Sequence, residues 1–471
     1  MTGGSANWDL LREAVGGEVV LPGSPGYEQA RKPALVRYQE SRPHAIVKAT
    51  NAQDVVEAIG FARHSGLRTT PRSGGHCFAG RSSIGDVIID VAAMSSVSIL
   101  DGVATVGAGT RLGDLYDALA AHGRTIPAGC GSSVGIAGLT LGGGLGILGR
   151  KYGLTCDSLL SAEVVLADGR IVQCSENQDS ELFWALRGAG GGHLGVVTSL
   201  VFTTVPAPIS TCFHLMWAPA QAAAVVDAWQ VWAPMAPDEL DANLRLTVSG
   251  DSGRSAVVNL FGAMLGSEPE TDALLSDFIA RVGADPVTKF RRAMPYREVK
   301  RHLSGLGSVD SEQDQPPRSM LSKSEFFRET LPRHVITALL DNFATGCGPG
   351  QSRELNLTPW GGAYNRIPAD ATAFVHRDEL FMIEHVATID PATEPGAART
   401  WVTGSWASVH SWGSGRVYPN FPDPDLKDWA ESYYGNNYDR LLRVKRKYDP
   451  GNWFRFPQSL GSQSGKAENN D

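Results

Sequence analysis

The sequence predicts an α+β fold with more than one domain. The chain has 471 residues, more than one ordinary core accommodates, and 42% of them are hydrophobic. Short strands joined by the tight-turn dipeptides Asp101-Gly102 and Asp168-Gly169 are typical of small antiparallel sheets. After residue 208 longer helices alternate with strands, which indicates a second domain built of an antiparallel sheet with helices on one side.

The first region begins with a βα unit. Residues 45–47 have the pattern of a strand, and Val55, Ala58, Ile59 and Ala62 recur at helical spacing on one face. The region closes near residue 206, where prolines interrupt the pattern and predict a domain boundary. The other elements predicted here are strands at 87–89, 162–165, 171–172, 196–197 and 200–202 and a helix at 112–121.

In the second region and in the tail, apolar residues recur at helical spacing more often than in the first region. Helices are predicted at 220–232 and 272–282, a strand at 256–260, and a loop at 305–324. The tail begins at residue 420 and carries two amphipathic helices, one from Leu426 that stops at Gly435 and one that ends before Asp449-Pro450.

Composition and charge exclude several classes of function. The formal net charge is −8 without a basic stripe, which excludes a nucleic-acid binder. The uncharged stretch 125–149 is rich in glycine and serine and predicts no membrane span, and no secretory signal is visible, so we expect a cytoplasmic protein. The six cysteines lack the C-x-x-C spacing of metal sites, which favours free thiols and no bound metal.

One short segment, residues 71–76, suggests cofactor chemistry. Gly74 and Gly75 let a backbone approach phosphate groups, and His76 behind them supplies a nucleophilic imidazole. A flavin dinucleotide has both a pyrophosphate and a ring methyl carbon that an imidazole nitrogen can attack. The alternative is an ordinary glycine turn with a surface histidine.

The glycine-rich segment matches two known sequence motifs, but the flanking residues lack the secondary structure that each motif requires. Residues 144–149 match G-x-G-x-x-G, but no strand precedes them and Asp168 lies in a hairpin turn. Residues 131–135 match the G-x-S-x-G of serine hydrolases, but neither the strand before nor the helix after is present. Both instead indicate backbone that contacts a large flat or phosphorylated ligand.

Several motifs in order resemble one enzyme family. Residues 72–76, 129–131, 134–144 and 433–438, together with Lys445, Asp449-Pro450 and Asn452, resemble the berberine-bridge-enzyme-like FAD-linked oxidases of the vanillyl-alcohol oxidase superfamily. The resemblance covers nearly the whole chain and is weaker in the middle, where residues 361–363 and 372–377 support it.

The resemblance implies an FAD-binding domain of the vanillyl-alcohol oxidase type, built from residues 1–206 and 420–471, and a substrate domain at 207–419. It implies an oxidase that takes a hydride from a CH-OH, or a CH-NH or CH, group of a small molecule and reduces O2 to H2O2. A signal-free chain suggests tailoring of a secondary metabolite, by a monomer or homodimer. A carbohydrate oxidase, a dehydrogenase and a flavin-binding protein without turnover are the alternatives.

The resemblance also assigns residues to the cofactor. His76 is implied to bond covalently to the flavin 8α-methyl carbon, and Asn437 and Tyr438 to contact the flavin ring. The complete set expected to hold FAD is Arg72, Ser73, Gly74, Gly75, His76, Cys77, Gly129, Cys130, Gly131, Ser132, Ser133, Gly135, Gly138, Leu141, Gly142, Gly143, Gly195, Val197, Asn437 and Tyr438.

Two departures from the family affect these assignments. Cys130 is the candidate for a second bond, to flavin C6, but it stands one residue before the family position, which falls on Gly131. A second attachment and a buried inert thiol both remain open for Cys130. Leu145 replaces the substrate-contacting tyrosine of some relatives and suggests an apolar pocket floor.

Tyr433 matches the family's catalytic base, which removes the hydroxyl proton of the substrate. A tyrosine titrates near pH 10, so a base at neutral pH needs a nearby cation, and His376 or Arg377 is expected to supply it. Tyr433 also lies on the apolar face of its predicted helix, so a packing role is the alternative.

Overall fold

Two large hydrophobic cores divide the chain. The computed structural model describes residues 6–251, 256–307 and 318–462. One core joins side chains from residues 11–202 with others from residues 429–460, and the second is formed within residues 213–409. The first domain is therefore assembled from both ends of the chain, and the predicted α+β class is confirmed.

The N-terminal part contains two sheets. In the first, of order β1-β2-β4-β3, the last three strands are parallel; the second is antiparallel, of order β5-β6-β10-β8-β9. The Asp101-Gly102 hairpin forms as predicted, and both residues have positive φ, 50° and 79°. The strands are β1 (Glu18–Val20), β2 (Ala45–Lys48), β3 (Thr69–Arg72), β4 (Val87–Asp90), β5 (Val97–Leu100), β6 (Val103–Gly107), β7 (Arg124–Thr125), β8 (Leu159–Val165), β9 (Ile171–Ser175), β10 (Val196–Thr203) and β11 (Val205–Pro206).

Helices of this part pack against the sheets or shape the loops between them. In α3, the predicted face of Val55, Ala58, Ile59 and Ala62 is fully buried. The helices are α1 (Trp8–Ala14), α2 (Tyr27–Ala30), α3 (Ala52–His64), α4 (Leu112–Ala120), α5 (Ile136–Leu141), α6 (Gly149–Tyr152) and α7 (Ser180–Leu186).

The middle domain is a seven-stranded antiparallel sheet of order β15-β12-β14-β13-β17-β18-β16. One face is covered by α8, α9, α11 and α13, and α10 packs on the opposite face beside Cys212 and Ala263. The strands are β12 (Ile209–Trp217), β13 (Leu240–Ser249), β14 (Val257–Met264), β15 (Thr288–Pro295), β16 (Ser319–Phe327), β17 (Gln351–Pro359) and β18 (Phe381–Ile389). The helices are α8 (Ala222–Met235), α9 (Glu268–Val282), α10 (Tyr296–Gly307), α11 (Arg333–Ala344), α12 (Ala363–Arg366) and α13 (Gly396–His410).

Regular structure occupies both ends of the range 305–324, which was predicted to be a loop. Helix α10 continues to Gly307 and β16 begins at Ser319, and residues 308–317 lie outside the described ranges. In the tail, α14 (Trp429–Tyr434) begins three residues later than predicted because residues 423–426 form a turn, in which Leu426 N–H donates to Asp423 O at 3.2 Å. The second helix, α15 (Tyr438–Tyr448), forms as predicted.

Lys445 on α15 ties the two ends of the chain together. Its ammonium is buried and donates to His193 O, Phe454 O and Asp449 Oδ2, each at 2.7 Å. Asp449 in turn accepts from the N–H groups of Trp453 and Phe454 at 2.8 and 2.9 Å. Burial lowers the pKa of Lys445, and Asp449 opposes that shift.

Replacing Lys445 with Met is expected to lower the free energy of unfolding by about 3–5 kcal/mol, because the Asp449 carboxylate would stay buried without its cation. Chemical denaturation measures the loss. Arg446→Met, at an exposed position of the same helix, is the control and should change stability by less than about 0.5 kcal/mol. Equal losses in both variants would contradict the role of the buried pair.

Candidate active site

A cavity of about 510 Å³ lies where the N-terminal loops meet the tail. Its walls come from residues 69–78, from parts of 129–145 and 190–197, and from residues 418–422 and 454–456. A cavity of this size suits a cofactor-sized ligand.

The loop after β3 brings His76 to this cavity. Gly75 has φ 74°, a conformation that favours glycine. Arg72 lines the cavity, and its guanidinium binds Asp90 at 2.8 and 3.0 Å and donates to Arg31 O at 3.1 Å, which anchors the loop to β4 and to the end of α2. Ser73 Oγ donates to Ala108 O at 2.7 Å, which ties the loop to the second sheet.

A second glycine-rich loop meets the first one backbone to backbone. A Cβ at Gly74 would overlap the backbone N of Gly135, and a Cβ at Gly135 would overlap Gly74 N. The contact places Ser133 Oγ 3.0 Å from His76 Nε2, and this hydrogen bond orients the imidazole. Sequence alone did not indicate the Ser133–His76 contact, because it joins residues of two separate loops.

The glycines of the wall leave room for a flat ligand. Gly138 lines the cavity on α5, and a Cβ there would meet no protein atom within 4 Å. Gly191 and Gly192 line the opposite wall. The cations Arg81 and Arg455 also line the cavity and supply positive charge for a phosphorylated group. Backbone-lined walls, cations and His76 together fit FAD.

The cavity brings together most of the residues expected to hold FAD. Ser133 stands behind His76, and Ser132 accepts from Gly113 N–H at 2.9 Å through its backbone oxygen. The expected residues that line the cavity are Arg72, Ser73, Gly74, Gly75, His76, Cys77, Gly129, Cys130, Gly131, Gly135, Gly138, Leu141, Gly195 and Val197.

Six expected residues are not part of the cavity wall: Ser132 and Ser133, which stand behind it, and Gly142, Gly143, Asn437 and Tyr438. Gly142 and Gly143 pack against Asn420 and Phe374, where a Cβ at either position would clash. The structure also corrects the expectation that Asn437 and Tyr438 contact the flavin ring. The Asn437 amide donates to Ala369 O and Thr372 O at 2.7 and 3.1 Å, and Tyr438 stacks on Tyr434 with ring centroids 6.1 Å apart.

Tyr433 is a packing residue that fixes the tail loop. It is absent from the cavity wall, and its hydroxyl accepts from Asp423 N–H at 2.8 Å. Burial raises the pKa of Tyr433, which opposes the role of a base. The cation beside it is Arg81, 5.9 Å from the ring centroid, instead of the expected His376 or Arg377.

His376 and Arg377 are buried elsewhere. His376 stacks on Phe326 with ring centroids 4.8 Å apart, and burial lowers its pKa. Arg377 forms two hydrogen bonds with Asp157, at 2.7 and 2.9 Å, and a third with Thr372 Oγ1 at 3.1 Å. Arg377 therefore links the middle domain to the N-terminal part of the first domain, whereas His376 packs within the middle domain.

Tyr418, which the sequence did not indicate as a site residue, lines the cavity. Its oxygen accepts from Gly144 N–H at 2.9 Å, from Leu145 N–H at 3.1 Å and from the Asn420 amide at 3.1 Å. Burial raises the pKa of Tyr418 to about 12, and the three donors act in the opposite direction by stabilising the phenolate. The signal in the sequence that could have pointed to Tyr418 is its position two residues before Asn420, where the tail begins.

Leu145 contributes an apolar surface to the cavity wall, and Cys130 contributes a thiol. Leu145 packs beside Tyr418 and Phe421, in keeping with an apolar floor. The Cys130 thiol lies at the boundary with the middle domain, and burial raises its pKa while Lys300 lowers it.

Two other kinds of feature, a metal cluster and a membrane-spanning helix, are absent from the described residues. Within residues 6–251, 256–307 and 318–462, no group of three or more His, Cys, Asp or Glu side chains is arranged to hold a metal ion. In the same residues, no helix is both long and apolar enough to cross a bilayer. All six cysteines have free thiols.

Comparisons with known proteins agree with this geometry. Residues 43–175 match the family described as FAD binding domain, and residues 417–461 match the family described as berberine and berberine like. An uncharacterized FAD-linked oxidoreductase of Bacillus subtilis, YgaK, is 32% identical over 94% of this chain and 96% of its own length.

Two further relatives have more specific names. The chitooligosaccharide oxidase of Gibberella zeae is 30% identical over 89% of this chain and 87% of its own. The solved structure of Physcomitrella patens BBE-like 1 superimposes with a TM-score of 0.85 at 28% identity, over 96% of this chain and 98% of that one.

Gly138→Leu tests whether the cavity holds the cofactor. The new side chain would enter the cavity without displacing protein atoms, so we expect the FAD content per protein to fall at least about tenfold while the fold is retained. The ratio of absorbance at the flavin and protein bands measures it. Gly60→Leu, at an exposed helical glycine with equally open space, is the control. Full FAD content in Gly138→Leu would contradict the assignment.

Proposed function

The chain belongs to the berberine bridge enzyme-like FAD-linked oxidoreductases, and from that premise we propose that it is an oxidase that takes a hydride from a CH-OH group of a small organic molecule. CH-NH and CH groups are secondary choices. When bound, FAD would supply the hydride acceptor, and O2 would be the final electron acceptor, reduced to H2O2. We assign the reaction to the tailoring of a secondary metabolite. The observation that carries the proposal is that His76 and Tyr418 line one cavity.

His76 is proposed to hold FAD covalently through the flavin 8α-methyl carbon. Its position at the end of a short loop anchored by Arg72 and Ser73 restricts the imidazole to the cavity wall. The hydrogen bond from Ser133 restricts the rotation of the ring as well. A preorganised nucleophile of this kind loses little entropy when the bond forms.

Tyr418 is proposed as the general base in place of Tyr433. Two backbone N–H groups and the Asn420 amide all point at its oxygen, so a phenolate there is stabilised in the way that an oxyanion hole stabilises negative charge. Such a phenolate accepts the hydroxyl proton of the substrate while the hydride leaves the same carbon.

The middle sheet supplies polar groups on the substrate side. Arg245, Asn356 and Glu384 stand opposite one another on β13, β17 and β18, linked by hydrogen bonds of 2.7 and 3.3 Å. Met382 lies on the same face of β18 as Glu384, two residues nearer to the FAD domain. It packs in one cluster with Tyr418. We propose that a substrate held beside Tyr418 extends its polar groups toward this row.

A carbohydrate oxidase is the second candidate. It is favoured by that polar row and by the similarity to the chitooligosaccharide oxidase. Peroxide release measured on panels of sugars, alcohols and amines separates the two functions. Anaerobic reduction by a substrate, followed by exposure to air, separates an oxidase from a dehydrogenase, whose reduced flavin would persist. A protein without turnover would show no reduction by any compound.

Tyr418→Phe should lower the rate of flavin reduction by about 10²–10⁴-fold, because the proton acceptor is removed while the ring is kept. Stopped-flow absorbance under anaerobic conditions measures this rate. The wild-type rate should rise with pH as the phenolate fraction grows, and this rise should be absent from the variant.

Tyr433→Phe is the matched control for that experiment. It removes one buried hydroxyl outside the cavity, so we expect a loss of about 1 kcal/mol in stability and a reduction rate within about threefold of wild type. A large loss of rate in Tyr433→Phe with little effect in Tyr418→Phe would reverse the assignment.

In the His76→Ala variant, the tryptic peptide of residues 73–81 should carry no covalently bound FAD. In the wild type, the peptide of residues 73–81 should carry the flavin mass, and fragmentation should assign it to His76 instead of the neighbouring Cys77. Ser133→Ala should keep the bond but form it more slowly, because the ring is less restricted. An unmodified 73–81 peptide in the wild type would rule out the His76 attachment.

A further inference from the structure

Glu325, near the end of β16, is a fully buried carboxylate that does not line the cavity. Its two oxygens contact three nitrogen atoms from one stretch of chain. Oε2 accepts from the Trp406 indole N–H at 3.0 Å and lies 2.8 Å from Nδ1 of His410, and Oε1 accepts from Gly415 N–H at 2.8 Å. Burial raises the pKa of Glu325, and these three partners oppose that shift. The carboxylate therefore joins α13 to the segment that follows it.

The segment after α13 folds closely around this carboxylate. A Cβ at Gly413 would overlap Cγ and Oε1 of Glu325. The same segment is hydrogen-bonded to the free edge of β16, where Phe326 N–H donates to Arg416 O at 3.0 Å. Tyr418 follows two residues later, so the position of its ring depends on this attachment.

Lys323 holds the other end of the segment that carries Tyr418. It stands two residues before Glu325 on the same face of β16 and forms a buried ion pair with Asp423. Its ammonium also lies 5.3 Å from the ring centroid of Trp406, whose indole binds Glu325. One strand of the middle sheet thus fixes the tail segment on both sides of the tyrosine.

We propose that Glu325 is a positioning residue for Tyr418. By holding residues 410–415 in place, it keeps the tyrosine oxygen within hydrogen-bonding distance of the Gly144 and Leu145 N–H groups. The inference rests on the role of Tyr418 as the base proposed above. Glu325 exchanges no proton with the substrate, and its contribution is geometric, because a reacting group displaced by about 1 Å costs about 10²-fold in rate.

Glu325→Gln keeps the size of the side chain but replaces one acceptor oxygen with an NH2 group, which cannot accept from an N–H donor. We expect the rate of flavin reduction at saturating substrate to fall about 10- to 100-fold, with the half-saturating concentration within about threefold of wild type. Anaerobic stopped-flow absorbance measures both, with the compound that releases most peroxide in the panel described above. Glu329→Gln makes the same change at an exposed position just beyond β16 and should leave the rate unchanged.

A residue that acts through Tyr418 has no effect once the tyrosine hydroxyl is removed. In the Tyr418→Phe background, Glu325→Gln should therefore change the rate less than about twofold. A purely structural role would lower the rate by the same factor in both backgrounds, and that result would overturn the proposal. An unimpaired Tyr418→Phe variant would instead contradict the proposed base.

Hydrogen exchange tests the positioning without any substrate. Gly144 and Leu145 lie in the FAD domain and donate to the Tyr418 oxygen, so exchange in the peptides that contain them reports where the tyrosine lies. Tyr418→Phe removes the acceptor and defines the exchange rate of the released N–H groups. Glu325→Gln should raise exchange at these two residues about fivefold or more, toward that reference.

Gly413→Ala is a second variant that keeps the charge of Glu325 but displaces its carboxylate, since the new Cβ occupies the same space. It should raise exchange at residues 144–145 as Glu325→Gln does. Gly404→Ala, at an exposed glycine of α13 with open space around it, is the control. Thermal melting shows that each variant is folded. Wild-type exchange at residues 144–145 in both Glu325→Gln and Gly413→Ala would rule out the positioning role, whatever the enzyme oxidises.

Discussion

The active-site cavity depends on the backbone contact between Gly74 and Gly135. The two residues belong to loops that leave different sheets, and neither can bear a Cβ without overlap with the other. Because the contact is this close, His76 on one loop lies within hydrogen-bonding distance of Ser133 on the other. The cavity lies beside this junction, so backbone atoms determine its shape. Substitution of single side chains should therefore change that shape little.

The tail completes the site from a second direction. Residues 418–425 run along the cavity and are held by several hydrogen bonds. Asn420 donates to Leu139 O at 2.8 Å, and Tyr433 and Gln458 bind the backbone of Asp423. Lys323 of the middle sheet also forms a buried ion pair with the Asp423 carboxylate. Tyr418 is thus oriented by groups from both domains, which explains why its hydroxyl can face two N–H groups at once.

The fold could be predicted from the sequence further than the site. Periodicity located α3 and α15, and Asp-Gly pairs located both hairpins, since these signals are local. The cavity-lining residues before residue 200 were expected from the family resemblance, whose glycine-rich motifs mark close backbone approach. The sequence could not show which of Tyr433 and Tyr418 lines the cavity. Both are aromatic residues beside polar loops, and only tertiary contacts distinguish them. His376 and Arg377 were misassigned for the same reason: their partners lie about 50 and 220 residues away in sequence.

Assembly of the first core from both chain ends has a consequence for biosynthesis. The core contains Leu11 as well as Phe454 and Leu460, and Phe456 lines the cavity. During translation the N-terminal loops therefore emerge long before the residues that enclose them. Until residues 454–460 have left the ribosome, the cavity lacks part of its wall and the first core stays open to solvent.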